Sequence, residues 1–212
     1  MKFHATPIAG LWEIETLPRG DARGSLTRLH CVDAMGAIAP DLRFVQSNLS
    51  VTAARGTVRG MHFQRAPALE AKLIRCLRGR VFDVAVDLRA GSPTFGRWHA
   101  VELSGENHRQ VLIPAGCAHG FQALEDGCEL LYQHTAPYTP GCENGVRHDD
   151  ARLAIRWPLP VVGVSARDQL RVLRTEVENE DTRGMDVGLR VHVLCSAVHV
   201  CLKIFLSVRA DS

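Results

Sequence analysis

The stretch KLIRCLRGRVFDVAVDLR, residues 72–89, decides the fold class of this chain. Apolar residues recur in short, strand-like runs on both sides of RGR, residues 78–80. A glycine between charged residues is typical of a turn. Two strand-like runs joined by a turn are typical of an antiparallel sheet.

The same pattern continues along most of the chain. Further strand-like runs cover residues 44–52, 56–63, 96–103, 109–116, 118–124 and 128–135. Turn-forming residues separate them, as in SGENH and LEDGC. Runs of this length and spacing predict an all-β sandwich or barrel rather than alternating strands and helices. We expect only a few short helices, one of them around CVDAMG, residues 31–36.

Length, charge and cysteine content narrow the class of protein. The 212 residues fit one domain, and a net charge of +2 with interspersed signs argues against a nucleic-acid surface. The first residues lack the apolar core of a signal peptide. Seven cysteines without CxxC spacing favour reduced thiols over disulfides or zinc. We therefore expect a cytoplasmic protein.

The chain changes character towards its end, so we expect a domain over residues 1–175 and an extension over 176–212. The extension is apolar near its end, but His192, His199 and Lys203 interrupt it too often for a membrane span. Its role stays open between a disordered tail, an extra strand pair, a partner-binding segment and an artefact of the gene prediction.

Two stretches have the spacing of a cupin, the double-stranded β-helix or jelly roll. In the first, Gly56 precedes His62 by six residues and Glu70 follows. The second, PAGCAHG at 114–120, places His119 in a PxGxxH pattern. In metal-binding cupins the first stretch supplies HxH and a glutamate, and the second supplies the last histidine.

The metal ligands of such a cupin are incomplete here. Gln64 occupies the second position of HxH, and an amide is a poor transition-metal ligand beside imidazole. Lys72 would also bring a positive charge close to any cation. We therefore expect no metal and no other cofactor.

The remaining polar residues predict a pocket for an anionic ligand. Lys72 shares the inward face of its strand with Ile74 and Cys76, and a lysine there needs an anionic partner. Arg59 and His62 are three apart and would lie on opposite faces of a regular strand. Both reach one pocket only if Gly60 marks a bulge or the strand begins there.

Residues 21–170 resemble the dTDP-4-dehydrorhamnose 3,5-epimerase family, metal-free cupins that act on nucleotide sugars. The stretches that carry the resemblance include DARGSL, VQSNLS, GTVRGMHFQ, ENHRQVLIPAGCAHGFQAL, LLYQHTAPYTP and SARDQ. The resemblance implies a homodimer and epimerisation of dTDP-4-dehydro-6-deoxy-D-glucose at carbons 3 and 5.

The resemblance also implies the catalytic roles. The ketone at carbon 4 acidifies the protons on carbons 3 and 5, so the reaction passes through an enolate. His62 corresponds to the base, Asp168 to the carboxylate that orients it, and Tyr132 to the general acid. Lys72 would stabilise the enolate oxygen.

A second set of residues would bind the substrate. Arg23 corresponds to an arginine that binds the diphosphate, and Tyr138 to an aromatic that stacks on the base. The full set implied by the resemblance is Arg23, Arg28, Gln46, Asn48, Arg59, His119, Tyr138, Glu143 and Arg167.

The motif around Arg23 departs from the family pattern. The family motif DxRGxFxE has Leu26 and Arg28 in place of its aromatic and its last acid. This change leaves the nucleobase of the substrate open. A single-carbon epimerase on a related 4-keto nucleotide sugar, a metallo-cupin and a non-catalytic binding protein are the alternatives.

Overall fold

A computed structural model describes residues 1–169 of the chain. Its strands are β1 (Lys2–Ala5), β2 (Trp12–Glu15), β3 (Arg19–Asp21), β4 (Gly24–Leu26), β5 (Gln46–Thr52), β6 (Val58–Gln64), β7 (Lys72–Arg78), β8 (Arg80–Asp87), β9 (Trp98–Ser104), β10 (Arg109–Ile113), β11 (Cys117–Ala123), β12 (Cys128–His134) and β13 (Glu143–Gly145). The helices are α1 (Val32–Met35) and α2 (Ala166–Gln169), with a 3₁₀ turn at Pro140–Cys142. The predicted all-β class with a few short helices is confirmed.

The strands form two large antiparallel sheets. The six-stranded sheet has the order β1-β2-β10-β7-β12-β5, and the five-stranded sheet has the order β13-β6-β11-β8-β9. Among residues 1–169, strands β3 and β4 pair only with each other, in a small hairpin. Non-sequential neighbours in both large sheets are typical of a jelly roll.

The main core lies between the two large sheets. Ile74 and Leu130 of the six-stranded sheet pack with Val81, Leu103 and Phe121 of the five-stranded sheet, each at most 1% exposed. Burying a side chain of this size contributes about 1.5–3 kcal/mol. Further buried clusters cover the outer face of each sheet. The alternation in the sequence therefore places one residue set between the sheets and the other outside.

All eight strands expected from the sequence are present, as is the helix near residue 31. Strands β1, β2, β3, β4 and β13 were not predicted. They have three or four residues each, so the alternation in β1 (KFHA) and β2 (WEIE) is too short to indicate a strand, and β3 and β4 are exposed throughout. The predicted extension at 176–212 lies outside the described residues, as do residues 170–175.

The structure also bears on membrane insertion and on the cysteines. The described part of the chain contains no helix long and apolar enough to cross a membrane. Its five cysteines, at positions 31, 76, 117, 128 and 142, are free thiols.

The pairing of β6 with β11 is irregular at Gly60. His119 pairs with His62 and Phe121 with Arg59, so β6 has one extra residue between these pairs. Gly60 has φ +124°, and a Cβ there would lie 2.5 Å from the Cα of Gly120. The expected bulge at Gly60 is confirmed, and it turns Arg59 and His62 towards the same side.

Candidate active site

A cavity of about 710 Å³ lies between the two sheets. Side chains from β5, β7 and β12 form one wall, and side chains from β6 and β11 form the other. Its size suits a small-molecule ligand. All the predicted site residues line it except Arg23 and Arg28.

His62 and Asp168 form a close pair on one side of this cavity. Nε2 of His62 donates to Oδ1 of Asp168 across 2.6 Å. The Asp168 side chain is 4% exposed, whereas that of His62 is 26% exposed. The carboxylate is therefore shielded, and the imidazole that it orients opens to the cavity. A neutral imidazole that donates through Nε2 keeps its lone pair on Nδ1.

The segment before α2 brings Asp168 to this position from far along the chain. The buried Gln122 side chain accepts from the backbone N–H of Leu159 at 3.0 Å and donates to its carbonyl at 2.9 Å. The N–H of Val58 then donates to the carbonyl of Gly163. These bonds lay the segment along β6, and one turn of helix places Asp168 beside His62.

Lys72 belongs to a buried ionic cluster on the opposite sheet. Its Nζ lies 3.1 Å from Oε1 of Glu70 and donates to the carbonyl of His62 at 3.2 Å. Oε2 of Glu70 accepts from Nδ1 of His134 at 2.8 Å. Burial raises the pKa of Glu70, but the bond from His134 and the charge of Lys72 outweigh it, so the pKa lies below its ordinary value.

Tyr132 lies between His119 and His134. Its ring packs edge-on against His119 at 5.6 Å and parallel to His134 at 6.0 Å. Burial raises the pKa of Tyr132 well above its ordinary value, and the nearby charge of Asp83 adds to this effect. The phenol is therefore protonated at neutral pH and can act as a donor.

His119 pairs with a second carboxylate, that of Asp83. Nε2 of His119 lies 2.8 Å from Oδ2 of Asp83, and their side chains are 4% and 1% exposed. His119 is the direct cross-strand neighbour of His62. The two histidines that carried the cupin spacing therefore each pair with a different aspartate.

The mouth of the cavity contains several of the predicted binding residues. Glu143 accepts from the hydroxyl of Tyr138 at 3.0 Å and from Arg167 at 3.1 Å. Arg59 donates to Thr52 and to the carbonyl of Val51. The remaining predicted residues there are Gln46 and Asn48 on β5.

Arg23 and Arg28 lie apart from the cavity. Arg23 is in the β3–β4 hairpin, where it forms an exposed ion pair with Asp21 at 2.7 Å. Arg28 is also exposed and donates to the sulfur of Cys31 at 4.0 Å. Within one chain, neither arginine contacts the other site residues.

The positions that bind a metal in other cupins make other contacts in this chain. No three His, Cys, Asp or Glu side chains among residues 1–169 are grouped as a metal site. The Gln64 amide donates to the carbonyls of Ala68 and Pro137 and accepts from the N–H of Thr139. Gln64 therefore joins two loops at the cavity wall.

Sequence reasoning missed the roles of Asp83 and His134. Asp83 interrupts an otherwise apolar run, VFDVAV, which was a signal that it needs a buried partner. His134 is two residues after Tyr132 and so lies on the same strand face. Their partners, His119 and Glu70, are distant in sequence and could not be identified from the pattern.

Comparisons with known proteins agree with this architecture. The model of the family described as dTDP-4-dehydrorhamnose 3,5-epimerase matches residues 5–175. The dTDP-4-dehydrorhamnose 3-epimerase of Streptomyces niveus is 41% identical over 202 residues, which cover 94% of each chain. The dTDP-4-dehydrorhamnose 3,5-epimerase of Methanothermobacter thermautotrophicus is 49% identical over 161 residues, 76% of this chain and 86% of that one.

A solved structure gives the same result. The 3,5-epimerase of Legionella pneumophila in complex with dTDP-4-keto-L-rhamnose has a TM-score of 0.77 and 41% identity, covering 81% of this chain and 92% of that one. The cupin-type fold expected from the histidine spacing is thereby confirmed. Taken with the paired sheets and the polar cavity between them, these matches establish that the chain belongs to the dTDP-4-dehydrorhamnose 3,5-epimerase family.

Proposed function

We propose that this protein epimerises dTDP-4-dehydro-6-deoxy-D-glucose at carbons 3 and 5 to give dTDP-4-dehydro-L-rhamnose. One observation carries the proposal: the His62–Asp168 pair lines the same cavity as Lys72 and Tyr132. This set contains a base, a cation and an acid, which are the groups that enolate chemistry needs.

The reaction begins when His62 removes the proton from carbon 3 or 5. The electron pair of the C–H bond moves towards carbon 4, and the ketone oxygen becomes an enolate. Lys72 stabilises this oxygen, where one positioned donor is worth about 3–4 kcal/mol. Asp168 stabilises the imidazolium that forms.

Tyr132 completes each inversion. Its phenol is protonated because burial and Asp83 raise its pKa, so it can donate a proton to the carbon from the other face of the sugar. The enolate electron pair forms the new C–H bond and the ketone is restored. The tyrosinate then regains a proton from solvent and His62 loses one, so the site returns to its starting state.

The nucleotide would occupy the mouth of the cavity. The Legionella relative has dTDP-4-keto-L-rhamnose bound. Here Tyr138 is 52% exposed at the mouth and can stack on a base, while Arg59 and Arg167 can attract the diphosphate. Gln46, Asn48, His119 and Glu143 are the remaining polar contacts that we assign to the substrate.

A single-carbon epimerase is the second candidate. The Streptomyces niveus relative, which matches over 94% of this chain, is a dTDP-4-dehydrorhamnose 3-epimerase. Both reactions use the same acid, base and cation, so the difference rests on how the sugar can turn within the cavity.

The test is to incubate the protein with dTDP-4-dehydro-6-deoxy-D-glucose in deuterated water and follow the sugar protons by NMR. Deuterium at carbons 3 and 5 with a rhamnose-configured product is the expected result. Exchange and inversion at carbon 3 alone would make this protein a 3-epimerase. Binding without exchange at either carbon would refute the catalytic proposal.

We also propose that two copies of the chain form a homodimer in the cytoplasm, with the β3–β4 hairpin reaching the cavity of the other copy. Within the described part of the chain the hairpin pairs only with itself; its strands are exposed throughout, and it carries Arg23. Leu26 is 78% exposed, and Leu49 and Val51 on the edge strand β5 are more than half exposed. Exposed apolar side chains of this kind are typical of an interface.

Mixed dimers test this arrangement. Arg23→Ala and His62→Asn should each be inactive alone, and co-expression of both should restore activity. In the mixed dimer, one site has an intact His62 from its own chain and an intact Arg23 from the other. No restoration, or a monomer by light scattering, would show that Arg23 does not act across an interface.

A further inference from the structure

Lys72 belongs to a cluster with two side chains, Glu70 and His134, that the proposed reaction does not use. Lys72 and His134 are direct cross-strand partners at the ends of β7 and β12. Glu70 precedes β7 and contacts both, with one carboxylate oxygen for each. The three side chains are 8%, 11% and 7% exposed, so water takes little part in holding them.

Glu70 determines where the Lys72 ammonium can point. An ammonium has three N–H donors. Glu70 accepts one at 3.1 Å, and the carbonyl of His62 accepts another at 3.2 Å. Since Lys72 lines the cavity, the third donor is available to a ligand. The two bonds therefore fix a flexible side chain in one direction.

His134 in turn fixes Glu70. Its Nδ1–H donates to Glu70, so a neutral His134 has its lone pair on Nε2. Nε2 lies 3.4 Å from Nδ2 of Asn48, which can donate to it. The resulting chain of contacts runs from Lys72 through Glu70 and His134 to Asn48, and all four residues line the cavity.

The charges of the cluster also fit this role. Lys72 and Glu70 carry opposite charges and lie 3.1 Å apart, so the two side chains balance each other. Removing the Glu70 charge would leave the ammonium buried without its partner, which is costly.

We propose that Glu70 and His134 are positioning residues that hold the Lys72 ammonium towards the enolate oxygen. The proposal rests on the role of Lys72 in the proposed function. Glu70 and His134 do not themselves touch the reacting atoms. They act through Lys72, so their effect depends on its presence.

The test compares Glu70→Gln with a matched control. In Glu70→Gln an amide N–H can face the ammonium, so Lys72 loses its anchor while the side-chain volume is kept. We expect kcat to fall about 10- to 100-fold, as for a misplaced catalytic group, with KM and dTDP affinity within about twofold. The kcat of His134→Asn should also fall, and this variant provides the test if Glu70→Gln does not fold.

Glu13→Gln is the control. Glu13 pairs with His99 at 2.8 Å, as Glu70 pairs with His134, but this pair does not line the cavity. Its kcat should stay at the wild-type value. An unchanged kcat in Glu70→Gln would overturn the proposal. So would a loss of kcat/KM that is fully explained by a rise in KM and in the dissociation constant of dTDP.

Two further readouts separate this proposal from the proposed function. In a Lys72→Met background, Glu70→Gln should cause no further loss, because residues that act as a unit are not additive. A full additional loss there would overturn the positioning role. Long-range ¹H–¹⁵N spectra of the substrate-free protein should show the proton of His134 on Nδ1. A proton on Nε2 would overturn the proposal even in an active enzyme, and this measurement holds even if the sugar is not turned over.

Discussion

The two histidine–aspartate pairs of the cavity differ in exposure more than in geometry. His62–Asp168 and His119–Asp83 have similar separations, 2.6 and 2.8 Å, and the two histidines are cross-strand neighbours. The His62 side chain is 26% exposed, whereas His119 is 4% exposed. A base needs room for its substrate, so the open pair suits proton transfer. The less exposed pair suits a fixed position in the cavity wall, where His119 packs against Tyr132 and can contact the substrate.

The largest expected effect comes from the open pair. His62→Asn should lower kcat by about 10²- to 10⁴-fold, because it removes the proposed base. The affinity for dTDP, measured by calorimetry, should change little. A variant with wild-type turnover would assign the base to another group, and His119→Asn then becomes the next variant to measure.

Tyr132→Phe should have the next largest effect, about 10²-fold on inversion. His62 can still remove a proton and return it to the same face, so deuterium should enter the sugar without inversion. NMR in deuterated water distinguishes exchange from inversion directly. Equal losses of exchange and inversion would mean that Tyr132 acts before the enolate forms.

Replacing Asp83 or Asp168 with alanine tests whether the two pairs differ in role as they differ in exposure. In Asp83→Ala the buried His119 loses its hydrogen-bond partner, which should cost about 1–3 kcal/mol of unfolding free energy. In Asp168→Ala water can reach His62, so stability should change less while kcat falls. Urea unfolding and steady-state rates measure both quantities. The reverse ranking, with Asp168→Ala the less stable, would contradict the assignment of roles from exposure.

Asp87 gives a purely structural reference on the same strand as Asp83. Its buried carboxylate accepts from Arg89, Ser92 and Thr94. Burial alone would raise its pKa, but these bonds hold it well below its ordinary value of 3.8. A lowered pKa in the folded state means that the stabilisation is complete above the unfolded value and is lost as the pH falls through the folded one.

Asp87→Asn should therefore cost about 2 kcal/mol at pH 7, as expected for hydrogen bonds to a charged group. The difference from the wild type should shrink as the pH falls below about 4. Activity at pH 7 should be unchanged, since Asp87 does not line the cavity. A difference that grows on acidification would show that the folded carboxyl is protonated more easily than the unfolded one.

Much of the fold could be predicted from local patterns. Strands β6 to β12 bury one or both faces, so their apolar residues recur with a clear period. The edge strand β1 is too short to show such a period, and the exposed β3–β4 hairpin has none. Their pairing depends on neighbours far away in sequence, which a local pattern does not contain.

The site residues also divide into those that a local sequence pattern predicts and those that it does not. His62 and His119 follow from the cupin spacing, and the inward face of Lys72 follows from strand alternation. The roles of Asp168 and Tyr132 come from the family resemblance, and the structure shows that both side chains line the cavity. The pairing of Glu70 with His134 spans 64 residues and depends on two strands being adjacent. No spacing in one sequence indicates such a pair.

The close approach of Gly60 and Gly120 has a consequence for engineering and for evolution. A Cβ on Gly120 would lie 2.5 Å from the sulfur of Met61, and one on Gly60 would lie 2.5 Å from Gly120. Any side chain there would shift Arg59 and His62 together, because both flank the bulge. The proposed substrate contact, Arg59, and the proposed base, His62, are thus linked through one backbone contact. Directed evolution of specificity should leave these two positions as glycine and vary the cavity mouth instead.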